Sequence, residues 1–211
     1  MVRDLAYFVQ GDAGPGPGVL ILHSFWGLTS SVKDLADGLA DRGYTALAPD
    51  INFGELPESE QDALDHLGEA SPDRLASLVF TSAKLLHERS TQGPIGVVGF
   101  GMGGSLGLWA SVRLTELVAA AVSFYGSQQI DFAGSRSSYL IHLAEEDEFI
   151  TDDDAAFMEA TMELESLPVE VIRYPKTKHG FCEPDGDTFD PEAFERAWAA
   201  TLAFLAAQLS D

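Results

Sequence analysis

The fold is decided by residues 95–104, which read IGVVGFGMGG. A short apolar run typical of a buried strand leads into a turn dense in glycine, and a helix is expected from Ser105 to Val112. This order of strand, sharp turn and helix is that of a nucleophile elbow, Gly-x-nucleophile-x-Gly, where a serine or cysteine sits on a strained turn. The central position here is Gly101, which has no side chain. The segment therefore predicts the scaffold of a hydrolase without its nucleophilic atom.

The same glycines also fit a second motif, the GxGxxG loop that binds dinucleotides. Gly99, Gly101 and Gly104 have that spacing, but the motif also requires an acidic residue about 20 positions further on, at the end of the next strand. The next predicted strand ends in residues 123–125, SFY, which include no acid. The Gly-Lys-Ser/Thr ending of a phosphate-binding loop is missing as well. We therefore expect no nucleotide cofactor, and no other cofactor.

Strand-like and helix-like runs alternate along the whole chain. Predicted strands cover residues 19–23, 45–48, 95–98, 117–124, 139–143 and 169–174. Predicted helices cover residues 31–42, 71–87, 155–164 and 191–209. Apolar strands that alternate with helices are typical of a doubly wound, mostly parallel α/β sheet, here of the α/β-hydrolase type. Because the strands follow one another closely, we expect one domain over residues 1–211 without a separate lid.

Composition limits the classes of partner. The net charge is −22, from 34 acidic and 12 basic residues, and such a surface repels nucleic acid and anionic membranes. No apolar run is long enough to span a bilayer. The first residues, MVRD, lack the apolar segment of a signal peptide, and the one cysteine, Cys182, fits a reducing compartment. These features predict a cytoplasmic protein with a small-molecule substrate or ligand, as a monomer or homodimer.

Three loops follow predicted strands at the edge where such folds bind ligands. In an α/β-hydrolase the loop after the first long apolar strand, here HSFWGL at 23–28, supplies one amide of the oxyanion hole. The residue after the nucleophile supplies the other. This assigns the backbone N–H groups of Phe25 and Met102 to the oxyanion hole.

The other two loops carry an acid and a base. Residues 145–150, EEDEFI, offer a carboxylate that could orient an imidazole, and residues 174–181, YPKTKHGF, offer the histidine. The chain order of elbow, carboxylate and histidine is the order found in α/β-hydrolases. Four consecutive acids make the choice among residues 145–148 ambiguous from composition alone.

Taken together, these segments resemble the dienelactone hydrolases over nearly the whole chain. The likeness rests on HSFWGL at 23–28, GYTALAPD at 43–50, GFGMGG at 99–104, the acidic turn at 146–149 and YPKTKHGF at 174–181. Members of that family use a cysteine, or sometimes a serine, with an aspartate and a histidine. The resemblance implies that Asp147 and His179 hold the last two roles, and that Gly101 stands at the nucleophile position. It also indicates a second departure, because many relatives have glutamate where this chain has Ser24.

Several side chains are expected around the pocket. Ser24, Trp26, Phe100 and Phe181 are predicted to line it. Ser24 and Cys182 are alternative candidates for the missing nucleophile. Three further histidines lack the spacing of metal ligands, so no metal site is expected; these are His66, His87 and His142.

Three functions remain compatible with the sequence. The first is hydrolysis of a small ester, lactone or thioester, with His179 activating water in the absence of a nucleophile at Gly101. The second is a pseudoenzyme that binds a small acyl or lactone ligand without cleaving it. The third is a catalyst in which the His179–Asp147 pair moves a proton during an isomerisation or cyclisation.

Overall fold

One sheet of seven strands carries the fold in the computed structural model, which describes residues 5–69, 71–91 and 93–209. The strands are β1 Ala6–Gln10, β2 Gly18–Leu22, β3 Thr45–Pro49, β4 Ile95–Phe100, β5 Val118–Phe124, β6 Ser138–Glu146 and β7 Val169–Lys178. Their order across the sheet is β1-β3-β2-β4-β5-β6-β7. Only the β1–β3 pair is antiparallel among these strand pairs. The predicted doubly wound, mostly parallel α/β sheet is confirmed.

Helices cover both faces of this sheet. They are α1 Ser30–Ala40, α2 Glu60–Glu69, α3 Pro72–Arg89, α4 Met102–Arg113, α5 Asp152–Leu164 and α6 Pro191–Gln208. Successive side chains of a strand point to opposite faces, and β2 shows the consequence. Val19 and Ile21 pack in the core beneath α1 and α6, whereas Leu20 and Leu22 pack in the core beneath α3 and α4. A strand covered on both sides has to be apolar throughout, which explains the GVLIL run of β2.

Two elements of the structure have only weak signals in the sequence. Strand β1 is a half-exposed edge strand, and helix α2 buries only Ala63 among its described residues. No helix in the described ranges has the length and apolarity needed to cross a membrane.

The topology brings four chain segments to one edge of the sheet. Strands β2, β4, β6 and β7 run parallel, so the loops that follow them all leave at their carboxyl ends. Those loops begin at His23, Gly101, Asp147 and His179 respectively. Residues that are far apart in sequence can therefore meet at this edge, where α/β folds bind their ligands.

Candidate active site

The turn after β4 has the backbone geometry of an elbow. Gly101 has φ +52° and ψ −116°, a region that residues with a side chain seldom adopt. Its N–H donates to the Phe124 carbonyl at 2.9 Å, and its carbonyl accepts from the Ser105 N–H at 3.1 Å. Helix α4 begins at Met102, three residues before the predicted start at Ser105. The sharp turn is therefore formed and hydrogen-bonded, although its central residue is glycine.

A close approach of helix to sheet explains another glycine of the segment. A Cβ atom at Gly103 would lie 2.1 Å from the carbonyl oxygen of Leu22 and 2.4 Å from that of His23. Only glycine lets the first turn of α4 pack this closely against the end of β2. The elbow and the loop after β2 are thereby held at a fixed spacing.

His179 and Asp147 are joined side chain to side chain. The His179 Nδ1–H donates to the Asp147 carboxylate, at 2.9 Å from Oδ1 and 3.0 Å from Oδ2. Oδ1 also accepts the backbone N–H groups of Phe149 and Ile150, both at 2.9 Å. The two side chains are 12% and 5% exposed, so the pair is largely shielded from water. With the proton held on Nδ1, Nε2 is left as the proton acceptor.

That acceptor faces the elbow. A Cβ atom built on Gly101 would lie 3.4 Å from His179 Nε2 and 3.7 Å from Ser24 Cβ, with no nearer heavy atom outside the adjoining residues. A general base must lie within a hydrogen bond, or one water, of the proton it removes. The space beside Gly101 meets that condition.

The two predicted oxyanion-hole amides belong to the loop after β2 and to the start of α4. Met102 is the first residue of α4, where N–H groups have no partner within the helix. The loop at Phe25 is held by the Asn52 side chain, whose Nδ2 donates to the Phe25 carbonyl at 2.7 Å. Within the described ranges, no backbone carbonyl accepts the N–H of Phe25 or Met102.

His23 supports the same region from inside. It is fully buried, and its Nε2 accepts the Ile51 N–H at 3.0 Å, one residue before Asn52. His23 is therefore a structural residue that links the loop after β2 to the loop after β3.

The structure adds a carboxylate, Glu183, that sequence reasoning did not single out. The Ser24 hydroxyl donates to Glu183 Oε2 at 2.5 Å. Burial raises the pKa of Glu183, while the hydrogen bond from Ser24 opposes that shift. The hydroxyl of Tyr125 is buried beside this carboxylate, and burial raises the pKa of Tyr125 well above its usual value. In a chain with 34 acids, no spacing marks Glu183 before the fold is known.

Two cavities are lined by residues of the candidate site. One of about 300 Å³ contains His179 and Glu183 together with an aromatic wall of Phe25, Trp26 and Phe149. Met102, the residue after Gly101, borders another of about 360 Å³. Both volumes are in the range of small-molecule sites.

The predicted wall residues do not all line these cavities. Ser24, Trp26 and Phe100 border a small cavity that they share with Glu183. Phe181, which was predicted to line the pocket, is fully buried in the core, where its ring packs on Tyr125 and Tyr174.

Of the two substitute nucleophiles, Cys182 is poorly suited to attack. Cys182 is 1% exposed, and burial raises the pKa of its thiol well above the usual range, so little thiolate forms. The hydrogen of the Ser24 hydroxyl is already donated to Glu183. The described residues contain no group of His, Cys, Asp or Glu side chains arranged to hold a metal ion.

Known proteins are similar in sequence to this chain over most of its length. Protein usf of Aquifex pyrophilus is 31% identical over 202 residues, which cover 90% of this chain and 87% of that protein. The carboxymethylenebutenolidase of a Pseudomonas species is 24% identical over 206 residues, covering 91% and 85%.

Solved structures show the same fold. A dienelactone hydrolase-like promiscuous phosphotriesterase from metagenomic libraries superposes with a TM-score of 0.85 at 22% identity, covering 97% of this chain and 92% of that one. The dienelactone hydrolase of Anabaena variabilis superposes with a TM-score of 0.68 at 18% identity, covering 97% and 92%. The model of the dienelactone hydrolase family matches residues 5–209. With its parallel sheet, its glycine elbow and this match over almost all of its length, the chain belongs to the dienelactone hydrolase family of lactone- and ester-type hydrolases.

Proposed function

We propose that this protein hydrolyses small esters, lactones or thioesters with a water molecule in place of the covalent nucleophile. One observation carries the proposal: His179 Nε2 lies 3.4 Å from the Cβ position of Gly101, while Nδ1 is held by Asp147. The orienting acid thus contacts the base, and the base faces a space that can hold the attacking atom. We further propose that residues 1–211 form one domain without a separate lid.

The reaction follows from the roles of these groups. The substrate carbonyl oxygen accepts the N–H groups of Phe25 and Met102, and a water beside Gly101 gives a proton to His179 Nε2 as its oxygen bonds to the carbonyl carbon. When the tetrahedral intermediate collapses, the bond to the leaving group breaks, and that group takes the proton from the imidazolium. Asp147 stabilises the positive imidazole between the two steps.

The expected rate enhancement is modest. A positioned general base contributes about 10²- to 10⁴-fold, and one oxyanion-hole donor about 10²- to 10³-fold. The cavities of about 300 and 360 Å³ have room for small acyl and alcohol groups. We therefore propose small, activated substrates.

One observation favours a second candidate, a protein that binds such a molecule without cleaving it. Gly101 has no side chain to attack with, and the buried thiol of Cys182 forms little thiolate. A proton-transfer reaction by His179 and Asp147 is a third candidate on the same geometry.

Restoring the nucleophile tests the proposal. Gly101→Cys should strongly raise the hydrolysis of p-nitrophenyl acetate and give an acyl-enzyme by mass spectrometry, because base, acid and amides are already placed. The gain should vanish in Gly101→Cys with His179→Ala, since such groups act as a unit. The native chain should hydrolyse the ester slowly without an adduct, and His179→Ala should abolish this while His87→Ala, on a distant helix, should not.

Two outcomes would count against the proposal. A native chain with no activity above buffer would favour the binder. A folded Gly101→Cys variant that forms no adduct would mean that the site is not built for acyl transfer.

A further inference from the structure

On the basis of the proposed function, we propose that Ser24 and Glu183 orient the attacking water. Ser24 Oγ accepts the second hydrogen of that water, and Glu183 is the positioning residue that turns the Ser24 hydroxyl into an acceptor. The two side chains thereby decide which side of the water faces the substrate.

Ser24 is the second side chain that lies close enough to contact a water beside Gly101. The three heavy atoms nearest to the Cβ position of Gly101 are two ring atoms of His179 and the Cβ of Ser24. The Ser24 hydroxyl oxygen is one covalent bond from that Cβ. Outside the adjoining residues, His179 and Ser24 are therefore the side chains nearest to a water in this space, and an ordered water needs two or more polar partners.

The hydrogen-bond capacity of Ser24 fixes how that water binds. A serine hydroxyl has one hydrogen to donate and two lone pairs. The hydrogen goes to Glu183 Oε2 at 2.5 Å, and one lone pair takes the Trp26 N–H at 3.3 Å. One lone pair remains, so Ser24 can only accept from a further partner.

The water must then donate both of its hydrogens. One goes to His179 Nε2, which accepts because Nδ1 carries the ring proton, and the other goes to Ser24 Oγ. The lone pairs of the water are left free to attack the carbonyl carbon. Without Glu183, the Ser24 hydroxyl could point its hydrogen at the water and occupy one of those lone pairs.

Glu183 is suited to this role by its position. An ionised carboxylate only accepts hydrogen bonds, so it cannot reverse the direction of the Ser24 hydroxyl. It lines the His179 cavity and also the small cavity that contains Ser24.

The test compares two substitutions in two backgrounds. Ser24→Ala and Glu183→Gln are made in the native chain, where water attacks, and in Gly101→Cys, where a thiol carries out the first step. In the native background we expect kcat for p-nitrophenyl acetate to fall about 10- to 100-fold with little change in KM, since misplacing a reacting atom has that effect. In Gly101→Cys the rate of acyl-enzyme formation should fall clearly less than kcat falls in the native background, because a thiol and not an oriented water carries out that step.

Controls separate this role from a structural one. Glu195→Gln removes one negative charge from an exposed position of α6 and should leave both rates unchanged. Melting temperatures establish that each variant is folded, and the two substitutions test the same idea independently. A loss of equal size in both backgrounds, or no loss in either, would overturn the inference while leaving hydrolysis by the native chain intact. Absence of any native hydrolysis would overturn the proposed function, and this inference with it.

Discussion

The substitution Gly101→Ala measures how much the backbone conformation of the elbow costs a residue that has a side chain. The backbone at this residue has φ +52° and ψ −116°, which a residue with a Cβ adopts only at a cost. The added methyl group would meet no close atom, because its nearest neighbour is His179 Nε2 at 3.4 Å. The change in stability therefore reports backbone conformation rather than a steric clash.

Two opposing terms set the magnitude. Holding a non-glycine residue in such a region costs about 1–3 kcal/mol. Alanine also has fewer conformations than glycine in the unfolded chain, which stabilises the folded state by about 0.4–1 kcal/mol. The net effect on Gly101→Ala is a loss of about 1–2 kcal/mol in the free energy of unfolding. For a chain of 211 residues this lowers Tm by about 2–8 °C.

A second glycine provides the matched control. Gly38 lies inside α1 with ordinary helical backbone, and a Cβ there would only touch Arg42 Nη1 at 3.7 Å. Gly38→Ala should stabilise by about 0.5–1 kcal/mol. Differential scanning calorimetry of the two variants against the native chain should thus show shifts of opposite sign. A Tm for Gly101→Ala at or above the native value would refute the elbow geometry.

Two further predictions concern the catalytic pair and the core. In Asp147→Asn, the two backbone N–H groups that bind Oδ1 should keep the amide oxygen at that position. The amide NH₂ then faces His179 Nδ1, and the ring proton moves to Nε2. With p-nitrophenyl acetate as substrate, kcat should fall by about 10²- to 10⁴-fold. Burial lowers the pKa of His142 from 6.5 to about 3, so the unfolded chain binds a proton that the folded chain rejects between those values. Stability is therefore lost as the pH falls below about 6.5, by about 1.4 kcal/mol per unit. Urea unfolding at pH 6.5 and 5.0 should show a loss about 2 kcal/mol larger in the native chain than in His142→Gln, and parallel curves would contradict the assignment.

The sequence predicts those parts of the site whose positions depend on the course of the backbone. Apolar strands followed by glycine-rich or polar turns mark the carboxyl edge of the sheet, and that edge brings Gly101, Asp147 and His179 together. Edge strand β1 and helix α2 were not predicted from the sequence, because each buries too few side chains to show a periodic apolar pattern.

Side-chain partnerships are harder to predict. Glu183 reaches Ser24 from 159 positions away, and nothing in an acid-rich sequence distinguishes it from its neighbours. Phe181 stands beside the catalytic histidine in sequence, but the direction of its ring depends on the course of the chain after β7. An aromatic residue suits both a pocket wall and a core, and only the fold decides between them.

The preserved backbone at Gly101 has an evolutionary consequence. Glycine codons GGT and GGC differ from codons for serine and for cysteine in the first base alone. Since the turn already has the strained conformation and faces His179 Nε2, a single point mutation could install a nucleophile without rebuilding the fold. The same step in reverse could have removed one from an ancestor. With either of these two codons, one base change separates Gly101 from a side chain that could attack a carbonyl carbon.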